Sequence, residues 1–257
     1  MSVLLEARNI QYSVSGHTSS VFGSRRKTVL QDVSLHVAEQ ETLGIVGSSG
    51  SGKSTLSRIL TGLVQPENGE ILFQGKDLRD AAGQVRKDIR PKIQMIFQDP
   101  QGALDPRQTV RQIVKEPLHQ MALSNEEKER RVLEVLADVA LPQDAAERYP
   151  RMFSGGQRQR IAIARALVTR PSVIIADEAV SALDVSTQAV VLNLLLDLQE
   201  RHGLSYIFVS HDLAVIRHIS HRVAVLDEGR IVETGPTLSV LDHPQQSTTR
   251  DLIAASL

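Results

Sequence analysis

One octapeptide, Gly47-Ser-Ser-Gly-Ser-Gly-Lys-Ser54, restricts what this chain can fold into more than any other segment. It fits the pattern G-x-x-x-x-G-K-[ST] and separates two segments of opposite character. Leu43-Gly-Ile-Val-Gly47 is short, apolar and bounded by glycine, which predicts a buried strand. Lys53 to Leu63 predicts a helix with Leu56, Ile59, Leu60 and Leu63 on one apolar stripe and Gly62 near its end. The loop Gly47, Ser48, Ser49, Gly50, Ser51, Gly52 holds only glycine and serine, so its amides can turn inward without Cβ clashes. Those amides and the helix N-terminus form a cradle for nucleotide phosphates. Lys53 adds a point charge, the Ser54 hydroxyl is placed to ligate Mg²⁺, and Thr55 completes the run. An ordinary Gly/Ser loop explains the glycines but not Lys-Ser-Thr at this spacing.

Other predicted strands deliver polar residues at their carboxyl ends, where ligands bind in open parallel sheets. Ser172-Val-Ile-Ile-Ala176 leads into Asp177 and Glu178. Adjacent acids after a strand often only cap the next helix. With the phosphate loop upstream, Asp177 reads instead as a holder of the Mg²⁺ shell and Glu178 as the group that polarises an attacking water. Lys92 to Phe97 delivers Gln98, whose amide can reach both metal and water, and Ser205 to Ser210 delivers His211, a candidate γ-phosphate sensor. Gln98 and His211, taken singly, also suit structural hydrogen bonding in loops. Far downstream of the first motif stands Ser154-Gly155-Gly156-Gln157, ahead of the helical run Arg158 to Leu167. A serine N-cap, paired glycines and a helix N-terminus make an anion site, or simply a capped turn. Two phosphate-type motifs so far apart point to an ATPase that works face to face with a second copy or a close relative.

In sequence order, Tyr12, the phosphate loop, Gln98, Ser154 to Gln157, Asp177-Glu178 with Ser181-Ala-Leu-Asp184, and His211 resemble the ATP-binding subunits of ABC transporters. The resemblance runs from about Leu4 to Val240. It implies that Tyr12 stacks on adenine, although a strand aromatic in a small sheet fits that residue too. It implies that Ser154, Gly155, Gly156 and Gln157 cap the γ-phosphate of ATP held by the opposing subunit, and that Asp184 crosses the dimer seam beside the attacking water. ATP and Mg²⁺ are the implied ligands. Within the family, Phe97 to Arg107, Tyr149 to Arg160 and Ser181 to Ser186 resemble the importer branch for oligopeptides, dipeptides, nickel and related chelates, with the wording of the second of two paired ATPases. Ala179 departs from the proline usual after the glutamate, a change associated with the nickel and metal-chelate members. The tail His243 to Arg250 matches the branch only in part and has no cysteine for the iron–sulfur cluster of many relatives. The implied partners are transmembrane permease subunits, a sister ATP-binding subunit (heterodimer or homodimer) and, indirectly, an extracytoplasmic solute-binding protein. The implied location is peripheral, on the cytoplasmic face of the membrane. A stand-alone ABC-type ATPase acting near DNA or ribosomes is the alternative.

Composition is consistent with this. The 257 residues allow one α/β domain with a smaller lobe. A net charge of −1 gives no broad basic surface for nucleic acid. No apolar run reaches the roughly 20 residues that span a bilayer, so any transport role needs membrane partners on other chains. Arg25-Arg-Lys27 reads as a solvated hairpin tip, Pro66 to Gly69 as a turn before a strand at Glu70 to Phe73, and Asp227 to Arg230 as a hairpin. Ser124-Asn-Glu-Glu127 predicts a capping box before an apolar stripe of Val132, Leu133, Val135, Leu136 and Val139, with Glu126 to Arg131 as a solvated face. Ala189 to Leu196 reads as a core helix. The expected fold is α/β: a P-loop NTPase core, mainly a parallel sheet flanked by helices, with an N-terminal antiparallel β subdomain and an inserted helical subdomain. Residues 1–98 and 154–235 form the expected core, 99–153 the helical lobe and 236–257 the tail.

Overall fold

The computed structural model describes residues 2–15 and 26–255, in two compact units. One unit is built from the chain up to Ile89 and from Ile207 onward, the other from Arg90–Tyr206. The first unit opens with β1 (Val3–Ser15) and β2 (Arg26–Ala38), paired antiparallel. In β2, Val33, Leu35 and Val37 are buried while Asp32, Ser34 and His36 are exposed, the alternation of a sheet with one wet face. Arg25 lies outside the described residues; Arg26 and Lys27 are exposed at the start of β2. The strand β3 (Thr42–Val46) is buried throughout and runs into the phosphate loop, which leads to α1 (Lys53–Leu60). Leu56, Ile59 and Leu60 are buried, but Leu63 is 59% exposed. The helix stops short of Leu63 because Gly62 takes a left-handed conformation (φ 76°) just past its end. Next come β4 (Asn68–Phe73) and β5 (Lys76–Asp77), completing an antiparallel sheet of order β2-β1-β4-β5.

The second unit contains β6 (Ile93–Ile96), α2 (Pro100–Ala103), α3 (Val110–Lys115), α4 (Asn125–Asp138), α5 (Gly155–Leu167), β7 (Val173–Asp177) and α6 (Val185–His202). Strands β6 and β7 are parallel, Ile93 opposite Val173 through Ile96 opposite Ala176. At α4, Ser124 Oγ accepts from the Glu127 amide, the forward half of the expected capping box. Val132, Val135, Leu136 and Val139 are buried, while Leu133 sits at the edge of the stripe. The charge run is not a simple solvated face. Glu129 accepts from Lys115 Nζ at 2.6 Å and pairs with Arg111, both from α3, and the Arg131 side chain is only 12% exposed beside Glu127. The two pairs to Glu129 tie α4 to α3, which periodicity within α4 cannot reveal. In α6, Val191, Leu192, Leu194, Leu195 and Leu198 are buried and Val190 is half exposed.

The chain passes from the second unit to the first within β8 (Ser205–Val209). In the second unit the Ser205 amide donates to Ser172 O just ahead of β7, and in the first the Ser210 amide donates to Ile45 O of β3. The chain finishes with α7 (Leu213–Ile219), β9 (Arg222–Asp227), β10 (Arg230–Pro236), α8 (Thr237–Asp242) and α9 (Ser247–Ala254). The order in the first unit is therefore β10-β9-β3-β8, with β3 and β9 parallel. The hairpin between β9 and β10 turns on Glu228 and Gly229, both at positive φ (43° and 78°), as a type I′ turn requires. Among the described residues no helix is long and apolar enough to cross a membrane.

Candidate functional site

In the first unit, the phosphate loop is pinned on both flanks by close backbone approach. A Cβ on Gly47 would lie 2.0 Å from Leu226 O at the end of β9, so only glycine fits there. Gly52, the N-cap of α1 at φ 110°, would put a Cβ 3.0 Å from Val29 O and 2.8 Å from a Leu30 methyl on β2. The Gly229 amide donates to Ser51 O at 3.1 Å. Gly50, at φ 80°, has open space around it, leaving the loop tip free to approach a phosphate. Lys53 Nζ is buried and donates to Gly47 O and Ser48 O, each at 2.8 Å, so the ammonium is held over the cradle. Ser48 and Ser49 lie in the loop, and Ser54 and Thr55 follow Lys53 in the first turn of α1. Tyr12 is half-buried on β1 opposite Leu30, with register shifts on both sides of it. His211 is exposed just past β8, and its neighbour Asp212 caps α7 by accepting from the Ala214 and Val215 amides.

In the second unit, Asp177 is the buried last residue of β7. Glu178 follows at φ 49°, a left-handed conformation that costs energy for any residue with a Cβ. The turn after it offsets that strain: Ser181 donates to Glu178 O through both its amide (3.1 Å) and its hydroxyl (3.0 Å). Gln98 Nε2 donates to Glu178 Oε2 at 2.7 Å, so two candidate catalytic residues separated widely in sequence are in contact. The left-handed step re-aims the chain as it leaves the strand, and nothing in the local sequence announces it.

Ser154 and Gln157 form a reciprocal capping box on α5. Ser154 Oγ accepts from the Gln157 amide at 3.3 Å and Gln157 Oε1 accepts from the Ser154 amide at 3.0 Å. The box takes up two of the helix's orphan donors and does not use the Gly155 and Gly156 amides. A Cβ on Gly155 would meet Leu183 at an ordinary 3.7 Å, but one on Gly156 would lie 2.4 Å from Thr187 Cγ2. Thr187 is a residue the sequence reasoning missed, since its closeness to Gly156 is set by tertiary packing. Asp184, the N-cap of α6, accepts from Ser186 Oγ, Thr187 Oγ1 and the Thr187 amide. Those bonds, the Ser186 and Thr187 hydroxyls first, hold its carboxyl far below the usual carboxylate range, so it stays ionised.

The donors expected to serve Mg²⁺, namely Ser54, Gln98 and Asp177, are all oxygen ligands, which suits a hard cation. Among the described residues no cluster of three or more His, Cys, Asp or Glu forms a metal cage.

Comparison with known proteins identifies the family. Residues 30–181 match the ABC transporter family. The chain is 49% identical over 228 residues to the dipeptide transport ATP-binding protein DppF of Escherichia coli (strain K12), covering 88% of this chain and 68% of that protein. It is 50% identical over 233 residues to the glutathione import ATP-binding protein GsiA of Salmonella paratyphi A (strain ATCC 9150 / SARB42), covering 90% of this chain but only 37% of that protein. A dimeric post-hydrolysis structure of the ATP-binding cassette MJ0796 bound to ADP and Pi superposes with a TM-score of 0.76 at 32% identity, covering 91% of this chain and 99% of that one.

Proposed function

The chain belongs to the ABC transporter family and is an ATPase of that family, and from that premise we propose that it powers a membrane importer of peptides. The dipeptide and glutathione relatives support the peptide class, and neither relative's name mentions nickel. In this reading the chain sits at the cytoplasmic face of the membrane. It is attached to transmembrane permease subunits, paired with a sister ATP-binding subunit and served by an extracytoplasmic solute-binding protein.

The proposed roles follow from the chemistry of each group. The amides of Gly50, Ser51 and Gly52, with Lys53, bind the β- and γ-phosphates, and Tyr12 stacks on adenine. Ser54, Gln98 and Asp177 are the oxygen donors for Mg²⁺, which when bound neutralises charge on the phosphoryl oxygens. Glu178 accepts a hydrogen bond from the attacking water and orients it for in-line attack, while His211 donates to the γ-phosphate. The Gly155 and Gly156 amides, with Ser154 and Gln157 around them, cap the nucleotide of the partner subunit, and Asp184 lies at the seam. ATP binding then favours the closed pair and hydrolysis reopens it.

The observation that carries the hydrolytic reading is the 2.7 Å hydrogen bond from Gln98 to Glu178. It restrains the carboxylate of a residue whose backbone is left-handed, at φ 49°. The test is Glu178→Gln, which keeps the shape and removes the charge. Loss of general-base help should slow ATP turnover by about 10²- to 10⁴-fold. Light scattering should show this variant pairing, with a second copy or with its sister subunit in the mixture, when ATP and Mg²⁺ are added. Unchanged turnover would reject Glu178 as the base, and a variant that stays monomeric with ATP both alone and with the sister subunit would reject the shared nucleotide.

A further inference from the structure

We propose that Arg165, in the last turn of α5, is a positioning residue for ATP hydrolysis, acting by anchoring the loop that carries Gln98. An arginine at a helix C-terminus ordinarily reaches the last carbonyls of its own helix. Arg165 instead reaches across to other elements: Nη1 donates to Ala103 O at 2.9 Å and Nη2 to Glu116 Oε2 at 2.8 Å. Ala103 closes α2, and its carbonyl is one of the orphan acceptors at that short helix's end. The Ala103 amide donates to Asp99 O at 3.1 Å, and Asp99 directly follows Gln98. An unbroken sequence of contacts therefore runs from the guanidinium through Ala103 and Asp99 to Gln98, whose amide holds Glu178.

The same helix begins with the Ser154 and Gln157 capping box. Gln157 and Arg165 are eight residues apart, about 12 Å along a rigid helix at 1.5 Å per residue. One end of α5 thus presents the Gly155 and Gly156 amides, and the other end grips the loop that positions the catalytic pair. A shift of α5 when its N-terminus meets an anion would move Ala103, and with it Gln98. Arginine suits this task because its planar fork serves two acceptors at once, which a lysine ammonium on a flexible stem does less rigidly.

The proposal rests on the assignment of Gln98 and Glu178 to hydrolysis, and the experiment separates the two. The full-length chain is assayed for steady-state ATPase, with equilibrium binding of a fluorescent ATP analogue measured alongside. Arg165→Gln should lower kcat by roughly tenfold to a hundredfold, the scale of a misplaced catalytic group, with KM and analogue affinity little changed. Arg165→Lys should recover part of the loss. Combining Arg165→Gln with Gln98→Ala should lower kcat no further than Gln98→Ala alone, because both act through one contact. Arg130→Gln, which removes exposed ion pairs on α4, should leave kcat unchanged. The inference is overturned if Arg165→Gln keeps normal kcat, if its effect multiplies with that of Gln98→Ala, or if kcat and analogue affinity fall together with no recovery in Arg165→Lys. Full hydrolysis by Glu178→Gln would instead overturn the assignment beneath it.

Discussion

The contact between Gly156 and Thr187 allows a quantitative test of how the Ser154 to Gln157 segment is held. In Gly156→Ala the new Cβ would lie 2.4 Å from Thr187 Cγ2, more than an ångström inside the ordinary carbon–carbon separation of about 3.5–4.0 Å. Thr187 cannot simply rotate away. Its hydroxyl donates to Asp184 Oδ2 at 2.7 Å, and a new rotamer forfeits that bond even though the amide's bond to Asp184 Oδ1 at 2.9 Å would remain. Overpacking of this kind costs about 1–3 kcal/mol. Alanine recovers about 1 kcal/mol of helix propensity relative to glycine, so the net loss expected is about 0–2 kcal/mol. Thr187→Ser removes the offending methyl and keeps the hydroxyl that Asp184 accepts from; alone it should cost about 0.5–1.5 kcal/mol, the scale of deleting one packed methyl. In the double variant the clash is gone, and the two changes should couple favourably by about 1 kcal/mol or more. Urea denaturation followed by far-UV circular dichroism measures all four proteins, and ATPase activity should fall in Gly156→Ala and return in the double variant. If the double variant's loss equals the sum of the single losses to within about 0.5 kcal/mol, the steric account of Gly156 is wrong.

Lys53→Ala removes the ammonium that lies over Gly47 O and Ser48 O and should weaken ATP binding at least about tenfold, the loss of one charge-assisted contact; calorimetric titration giving normal affinity would contradict the cradle. Asp184 has a depressed carboxyl pKa in the folded chain, so its contribution to stability is present above the unfolded value of about 3.9 and is lost as pH falls through the lower folded value. Asp184→Ala should therefore be less stable than the parent across neutral pH, with the gap in urea midpoint closing only in strongly acidic solution. A gap that stays constant down to the acid transition would show that the Ser186 and Thr187 hydrogen bonds do not depend on the charge.

Much of the fold follows from short-range pattern. The uniformly buried β3, β7 and β8 are the apolar runs bounded by glycine or polar residues, and the turn at Glu228-Gly229 sits where the Asp227 to Arg230 segment predicts a hairpin. Where the reading slipped, the cause lay beyond the local window. Leu63 fits the apolar period of α1, yet the left-handed Gly62 ends the helix before that residue can join the stripe. The Glu126 to Arg131 run has the composition of a wet surface. Arg111 and Lys115 on α3, whose approach no periodicity within α4 encodes, turn part of it into a packed interface.

The candidate site divides along the same line. Residue types at strand ends are a local property, so Gln98, Asp177, Glu178 and His211 can be picked out one at a time. Their orientations are not local. A glutamate at φ 49° is disfavoured by its own backbone and persists because Ser181 and Gln98 hold it from outside, and sequence propensity at position 178 argues against it. The same reasoning applies to Gly156, which looks like one half of a flexible pair and is required because Thr187 leaves no room for a methyl. Arg165 looks like an ordinary helix-ending base until its two acceptors are seen on other elements. Chemistry at this site is written in residue identity, whereas its geometry is written in contacts among segments far apart in the chain. Substitutions at Thr187 and Arg165, which no phosphate motif contains, should therefore disturb the reaction through the residues that the motifs do contain.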